Sequence, residues 1–302
     1  MKNLQTANAY PRSIGKGRQF VVFSLLAAGS FSAGAVPTAK QDLDRSYTPT
    51  AGELVGAVVV NEMTDREQLR KWICTIEKRT GKQSLTELQV ETKDGPLFRL
   101  VTINGAELNP DQRKQDDARI ARLIKDPRPL QKLKQAQEDD EIRLQKLMTL
   151  MPQAFVYDYD GVEGNLVRIK FRPNPVYVPP TYEARVIHSL AGIILIDSEH
   201  KRLVSVAGRL TNRVDFGFGL LGRIDSGTVE IARMEVGPHL WKTTFINIHF
   251  SGRLALFKTV SKDQYERRSD FHTISAGLSL SDANALLISR DLQPQQTLSS
   301  SQ

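Results

Sequence analysis

Apolar and polar residues alternate along much of the second half of the chain. Val167, Ile169 and Phe171 interleave with Arg168, Lys170 and Arg172, which predicts a strand with one buried and one wet face. Ile246, Ile248 and Phe250 alternate in the same way with Phe245, Asn247 and His249. This period makes the chain almost all strand from Ala154 onward and predicts strands over 185–196, 203–210, 228–236, 241–250, 254–260 and 265–271. The breaks are Pro173-Asn174-Pro175 with Pro179-Pro180, Asp197 to Lys201, Gly237-Pro238 and Ser251-Gly252. Upstream, 69–78, 84–92 and 98–103 read as three more strands. Thr80-Gly81-Lys82 and Asp94-Gly95-Pro96 part them, and Asn104-Gly105 closes the third. Gly and Asn there supply the positive φ of tight hairpins. Short strands and polar turns predict a sequential antiparallel meander, so the chain is mainly β (α+β).

Two stretches keep the helical period instead. Over Glu53 to Met63 the apolar residues are Leu54, Val55, Val58, Val59 and Met63, a short helix packed on the domain. Residues 107–150 form a charged helical hairpin inserted into the β domain. Asn109-Pro110 starts it, as an N-cap followed by proline at the first helical position. Pro127 and Pro129 divide its stripes, Ile120, Leu123 and Ile124 on one side and Leu144, Leu147 and Met151 on the other. It reads either as a solvated cover or as a mobile lid. Asp282 is expected to cap a short last helix through Ser289, and 291–302 to form a disordered Gln/Ser-rich tail. A single domain over 51–290 holds all of these elements.

Residues 1–35 read as a signal peptide. Lys2, Arg12, Lys16 and Arg18 precede an apolar run from Phe20 to Leu26, and Ala33-Gly34-Ala35 has the small-x-small form of a cleavage site. The run is short of the roughly 20 apolar residues that span a bilayer. An exported protein, periplasmic or extracellular and soluble after cleavage, is expected, peripheral to a membrane at most. A flexible leader is expected over 36–50. The address takes cytosolic cofactors and ATP off the list of partners.

Charge then changes its meaning. The four basic residues of the leader, once removed, lower the formal net charge from +7 to +3. A near-balanced surface gives no reason to expect nucleic acid, which wants a basic stripe. Cys74 is the one cysteine, so no intramolecular disulfide forms; in the alternating run Trp72 to Ile76 it reads as a buried, inert thiol.

Catalytic patterns are missing. There is no Gly-x-Ser-x-Gly elbow and no His-Glu-x-x-His pair. His188, His200, His239, His249 and His272 are dispersed. No catalytic residue, metal or cofactor is therefore expected. Asp158 and Asp160 share a strand face and would suit an acid/base couple if one were desolvated, or a wet strand end entering a turn at Gly161. Lys78 to Lys82 is a basic hairpin without the glycines and helix of a phosphate loop.

Val214 to Gly222 alternates glycine with large apolar residues. It reads as a kinked, barrel-closing strand or as a rim opening onto an apolar cavity. In the second case Phe216, Phe218, Leu220 and Leu221 are the ligand contacts.

Gly192 to Asp197, a polar turn and Lys201 to Val204 together resemble the outer-membrane lipoprotein-sorting proteins of bacteria. That likeness runs from about 185 to 260. Phe171 to Pro175, Val214 to Gly222 and Arg267 to Phe271 resemble a family of exported bacterial proteins loosely allied to that superfamily, over most of 50–290. The resemblance implies a curved antiparallel sheet forming an incomplete barrel, plugged by helices. Its apolar interior would hold lipid or lipoprotein acyl chains without catalysis. The expected function is thus a non-enzymatic carrier of an apolar ligand. The alternatives are an envelope protein–protein interaction or sensor module with a filled core, and a hydrolase with a dispersed site using Asp158, Asp160 or His249.

Overall fold

A computed structural model of the chain describes residues 49–64, 71–217, 222–254 and 258–292. The proposed signal peptide, most of the leader and the tail beyond Leu292 lie outside them. The elements are α1 (Ala51–Thr64), β1 (Trp72–Thr80), β2 (Gln83–Thr92), β3 (Gly95–Ile103), β4 (Ala106–Glu107), α2 (Pro110–Lys125), α3 (Arg128–Met148), α4 (Met151–Ala154), β5 (Phe155–Glu163), β6 (Leu166–Pro173), α5 (Tyr182–His188), β7 (Leu190–Asp197), β8 (Arg202–Leu210), β9 (Val214–Phe216), β10 (Gly222–Gly237), β11 (Leu240–Leu254), β12 (Lys258–Thr273) and α6 (Leu280–Asp291).

All the strands join one open antiparallel sheet that does not close into a barrel. Its order is β4-β3-β2-β1-β12-β11-β10-β8-β7-β6-β5, with β9 paired to β10 off the main path. The expectation of a purely sequential meander is therefore corrected. The chain makes two meanders, and the first strand of one pairs with the last strand of the other, Ile76 opposite Arg268. Local alternation carries no information about so distant a pairing.

Several boundaries also move. Residues 185–188 are helix rather than strand. Thr181 accepts a hydrogen bond from the Ala184 amide at 3.1 Å and starts α5 just after Pro179-Pro180. No turn occurs at Ser251-Gly252, because β11 runs through both. Gly252 is there because a Cβ would stand 2.1 Å from the Arg223 carbonyl oxygen. The last helix is capped by Ser279, whose Oγ accepts from the Asp282 amide at 3.2 Å, and not by Asp282 itself. Thr50, assigned to the flexible leader, forms a capping box with Glu53 and starts α1.

The helices pack on opposite faces at the two ends of the sheet. Ladder partners point to the same side, so one face can be followed through Ile169, Ile194, Val206, Ile231, Ile246, Glu266 and Lys78. At the β5–β8 end, α1 covers this face with Leu54, Val55 and Val58 over Ile169, Ile194 and Ile196. At the β1–β3 end, α2, α3 and α6 cover the other face, over Ile73, Leu88, Val90 and Leu97. Full burial of a side chain such as Val90 or Leu97, each 0 % exposed, contributes about 1.5–3 kcal/mol.

The charged hairpin exists and is tied down. Asp116, 1 % exposed, accepts the Leu100 amide at 3.1 Å and the Arg119 guanidinium at 2.9 Å. Arg99 of β3 reaches Asp117 of α2 at 2.8 Å and Asp291 of α6 at 3.2 Å. With Ile120 and Leu130 buried beneath it, α2 and the start of α3 cover the β1–β3 end of the sheet.

Candidate apolar face and its charged end

Between the two helix-covered cores lie β10, β11 and β12, the longest strands of the sheet. Their two faces differ. On the side shared with α1 the ladder sets Val206, Ile231 and Ile246 side by side, and Val229 beside Ile248. The ring of Phe250 lies over Gly227, where a Cβ would meet it at 2.2 Å. Val206 and Val229 border the α1 core. Ile231, Ile246, Ile248 and Phe250 continue beyond it, half-buried and, among the described residues, belonging to neither core. The opposite side of the same strands is mixed: Phe245 packs edge-on against Tyr265 at 5.7 Å among polar pairs. Glu230 accepts from Asn247 at 3.2 Å, His249 pairs with Asp263, and Arg79 lies 4.1 Å from the centre of the Tyr265 ring.

The apolar stripe ends at charge. Arg233 stands two residues past Ile231 on β10 and is ion-paired with Glu62, on the last turn of α1. Glu62 is 2 % exposed and Arg233 11 %. Arg202, at the start of β8, stands 3.6 Å from the same Glu62 carboxylate. The Glu62 Oε1 also accepts the Leu203 amide at 3.3 Å. Burial pulls the Arg233 pKa down to about 10, so the guanidinium stays charged at neutral pH. Beside this cluster, Asp197 accepts the His200 amide at 2.9 Å and its ring at 3.2 Å. The hydrogen bond to Asp197 raises the His200 pKa. Burial works against ionisation of Asp197, but the bonds from His200 outweigh it and its pKa falls. The rings of Trp241 and His239 stand 6.4 and 6.2 Å from that of His200.

The Phe/Gly segment is placed only in part. Phe218, Leu220 and Leu221 lie outside the described residues. Phe216 ends β9 and stacks edge-on against Tyr182 at 5.3 Å, next to α5. A small apolar space between α3, α4 and α5, bounded by Leu147, Met151, Tyr177 and Ile187, measures about 10 Å³, room for one water and not for a chain.

The carboxylates considered for catalysis are ion-paired on the wet side of the sheet. Asp160 joins Arg168 at 2.8 Å and also Lys170, and these bonds lower its pKa. Asp158 faces Arg172 at 3.7 Å. His249 is five ladder steps away on β11, about 24 Å along the sheet, so the three do not converge. No group of three His, Cys, Asp or Glu among the described residues is set to hold a metal. Nor is any described helix long and apolar enough to cross a membrane. Cys74 is buried, and burial lifts its thiol to about 11.

The charged end was missed in the sequence, although one signal was present. Glu62 falls four residues after Val58 and seven after Val55, on the helix face that is otherwise apolar. A lone charge there needs a buried partner. Comparison with protein-family models, curated proteins and solved structures yields no match.

Proposed function

We propose that this chain is a non-enzymatic binding protein that holds an apolar ligand, a lipid or a lipoprotein acyl chain, against the β10–β11 face. The observation that carries the reading is the apolar stripe on one side of β10 and β11, with Glu266, Gln264 and Lys262 of β12 at its edge. Ile231, Ile246, Ile248 and Phe250 form an apolar stripe outside both cores, whereas the reverse side mixes the Phe245–Tyr265 ring pair with ion pairs and hydrogen bonds. A surface strip facing only water gains nothing from such sorting; a strip that receives an apolar partner does.

In this reading the sheet curls toward the stripe as an incomplete barrel, with α1 at one side. Close backbone approaches support a strong bend. A Cβ on Gly192 would stand 1.9 Å from the Ala207 carbonyl oxygen, and one on Gly252 2.1 Å from that of Arg223. The basic, apolar, small-residue order of 1–35 supports export, and the chain would act outside the cytoplasm as a soluble carrier.

One observation favours a protein-interaction module instead. Val176 and Val178, each 84 % exposed, project from a loop held between Pro175 and Pro179.

A fluorescent fatty-acyl probe tests the proposal. Ile246→Asn with Ile248→Asn is expected to weaken binding at least tenfold, since each buried aliphatic chain contributes about 1.5–3 kcal/mol. Asn247→Ala, on the reverse side, is expected to leave binding unchanged. Equal binding by all variants contradicts the placement.

A further inference from the structure

We infer that the ligand of this face is an anionic amphiphile, its carboxylate or phosphate oxygens on Arg233 and its chain along Ile231, Ile246 and Ile248. The inference rests on the apolar-ligand reading and names its chemical class.

Geometry places a cation where a head group would fall. Arg233 and Ile231 are alternate residues of one strand, so the guanidinium continues the line of the apolar stripe. Two of its edges are engaged: Nη1 donates to Glu62, and Nη2 donates to the Trp241 carbonyl at 3.2 Å. The third donor, Nε, is buried and has no acceptor among the described residues. Buried donors are nearly always paired, and one carrying part of a positive charge is costly to leave alone. An anionic oxygen is the acceptor that suits it best, because charge-assisted bonds to guanidinium are the strong ones. Arg202 and Arg233 both stand against the Glu62 carboxylate. An alcohol oxygen also accepts from Nε, but an anionic oxygen does so with its charge, so affinity rises with head-group charge.

Calorimetry on the full chain, with each probe below its micellar concentration, tests this with palmitate, hexadecyl phosphate and hexadecanol. The two anions are expected to bind about tenfold more tightly than the alcohol, the added strength of an anionic over a neutral acceptor. Preference for hexadecyl phosphate points to a phospholipid head, and preference for palmitate to a fatty acid. Arg233→Gln is expected to abolish the preference while alcohol binding persists, and Arg233→Lys, lacking the planar fork, to reduce it. Should Arg233→Gln fail to fold, the double variant Glu62→Gln with Arg233→Gln removes the orphaned charge and serves in its place. Equal affinity of the wild type for acid and alcohol overturns the inference and leaves the apolar reading standing. An undiminished preference in Arg233→Gln also overturns it. Failure of all three probes to bind contradicts the apolar reading itself.

Discussion

Glu62 and Arg233, 171 residues apart in the chain, form a buried ion pair that pins the last turn of α1 to the middle of the sheet. The pair defines one end of the apolar stripe, so it links the packing of a helix to the geometry of the proposed site. Removing one partner strands a buried charge. Glu62→Ala is expected to lower unfolding free energy by about 3–5 kcal/mol, whereas Glu62→Leu with Arg233→Met, which removes both charges, should come close to wild type. Urea denaturation of both variants checks this. A Glu62→Ala loss under about 1 kcal/mol would show that the pair is not desolvated.

Glycines in different surroundings should respond with opposite signs. Gly192→Ala drives a Cβ into the Ala207 carbonyl, which backbone cannot avoid cheaply, so a loss of about 4 kcal/mol or more is expected. Gly56, inside α1, has nothing within 4 Å of an added Cβ. Gly56→Ala is expected to gain about 0.5–1 kcal/mol from the reduced entropy of the unfolded chain. Melting curves of the two variants should therefore move in opposite directions.

The Asp197–His200 pair sets a pH window. Its hydrogen bond to Asp197 raises the His200 pKa above the ordinary 6.5, so that contribution is complete below 6.5 and is lost as pH rises through the folded value. The Asp197 pKa is lowered below 3.8 by the bonds from His200, which outweigh the opposing effect of burial. Its contribution is present above 3.8 and is lost as pH falls through the folded value. The pair is thus at full strength between those limits. An NMR titration of the His200 ring should show the raised midpoint in wild type and a fall toward 6.5 in Asp197→Asn. An unchanged midpoint would assign the shift to Glu199 and Glu235 nearby.

Cys74 should be unreactive. With its pKa lifted to about 11 by burial, only about one thiol in a thousand is ionised at pH 8. A thiol-specific chromophoric reagent is expected to leave the native protein untouched over hours and to react at once in urea. Prompt reaction in the native state would mean that β1 opens readily.

What could be read in the sequence follows from the range of each signal. Alternation at Val167 to Arg172 and at Phe245 to Phe250 identified strands and their two faces, because the strand period is local. Asn109-Pro110 identified the start of α2, and Asn104-Gly105 its preceding turn, with Asn104 and Gly105 at φ 53° and 76°. The pairing of β1 with β12 was hidden, since it depends on residues nearly the whole domain apart. So were the opposite-face placement of the two cores and the Glu62–Arg202–Arg233 cluster. The apolar run 246–250 was legible as a strand face; that no core claims it became visible only once the helices were placed at the sheet's two ends.

Native mass spectrometry of the protein purified from the cells that make it, with extraction of any bound mass, tests the central claim most directly. The account predicts an acyl-chain species at close to one per chain, lost in the Ile246→Asn/Ile248→Asn variant. A bare protein mass that takes up neither phospholipid nor lipopeptide when they are added would contradict it.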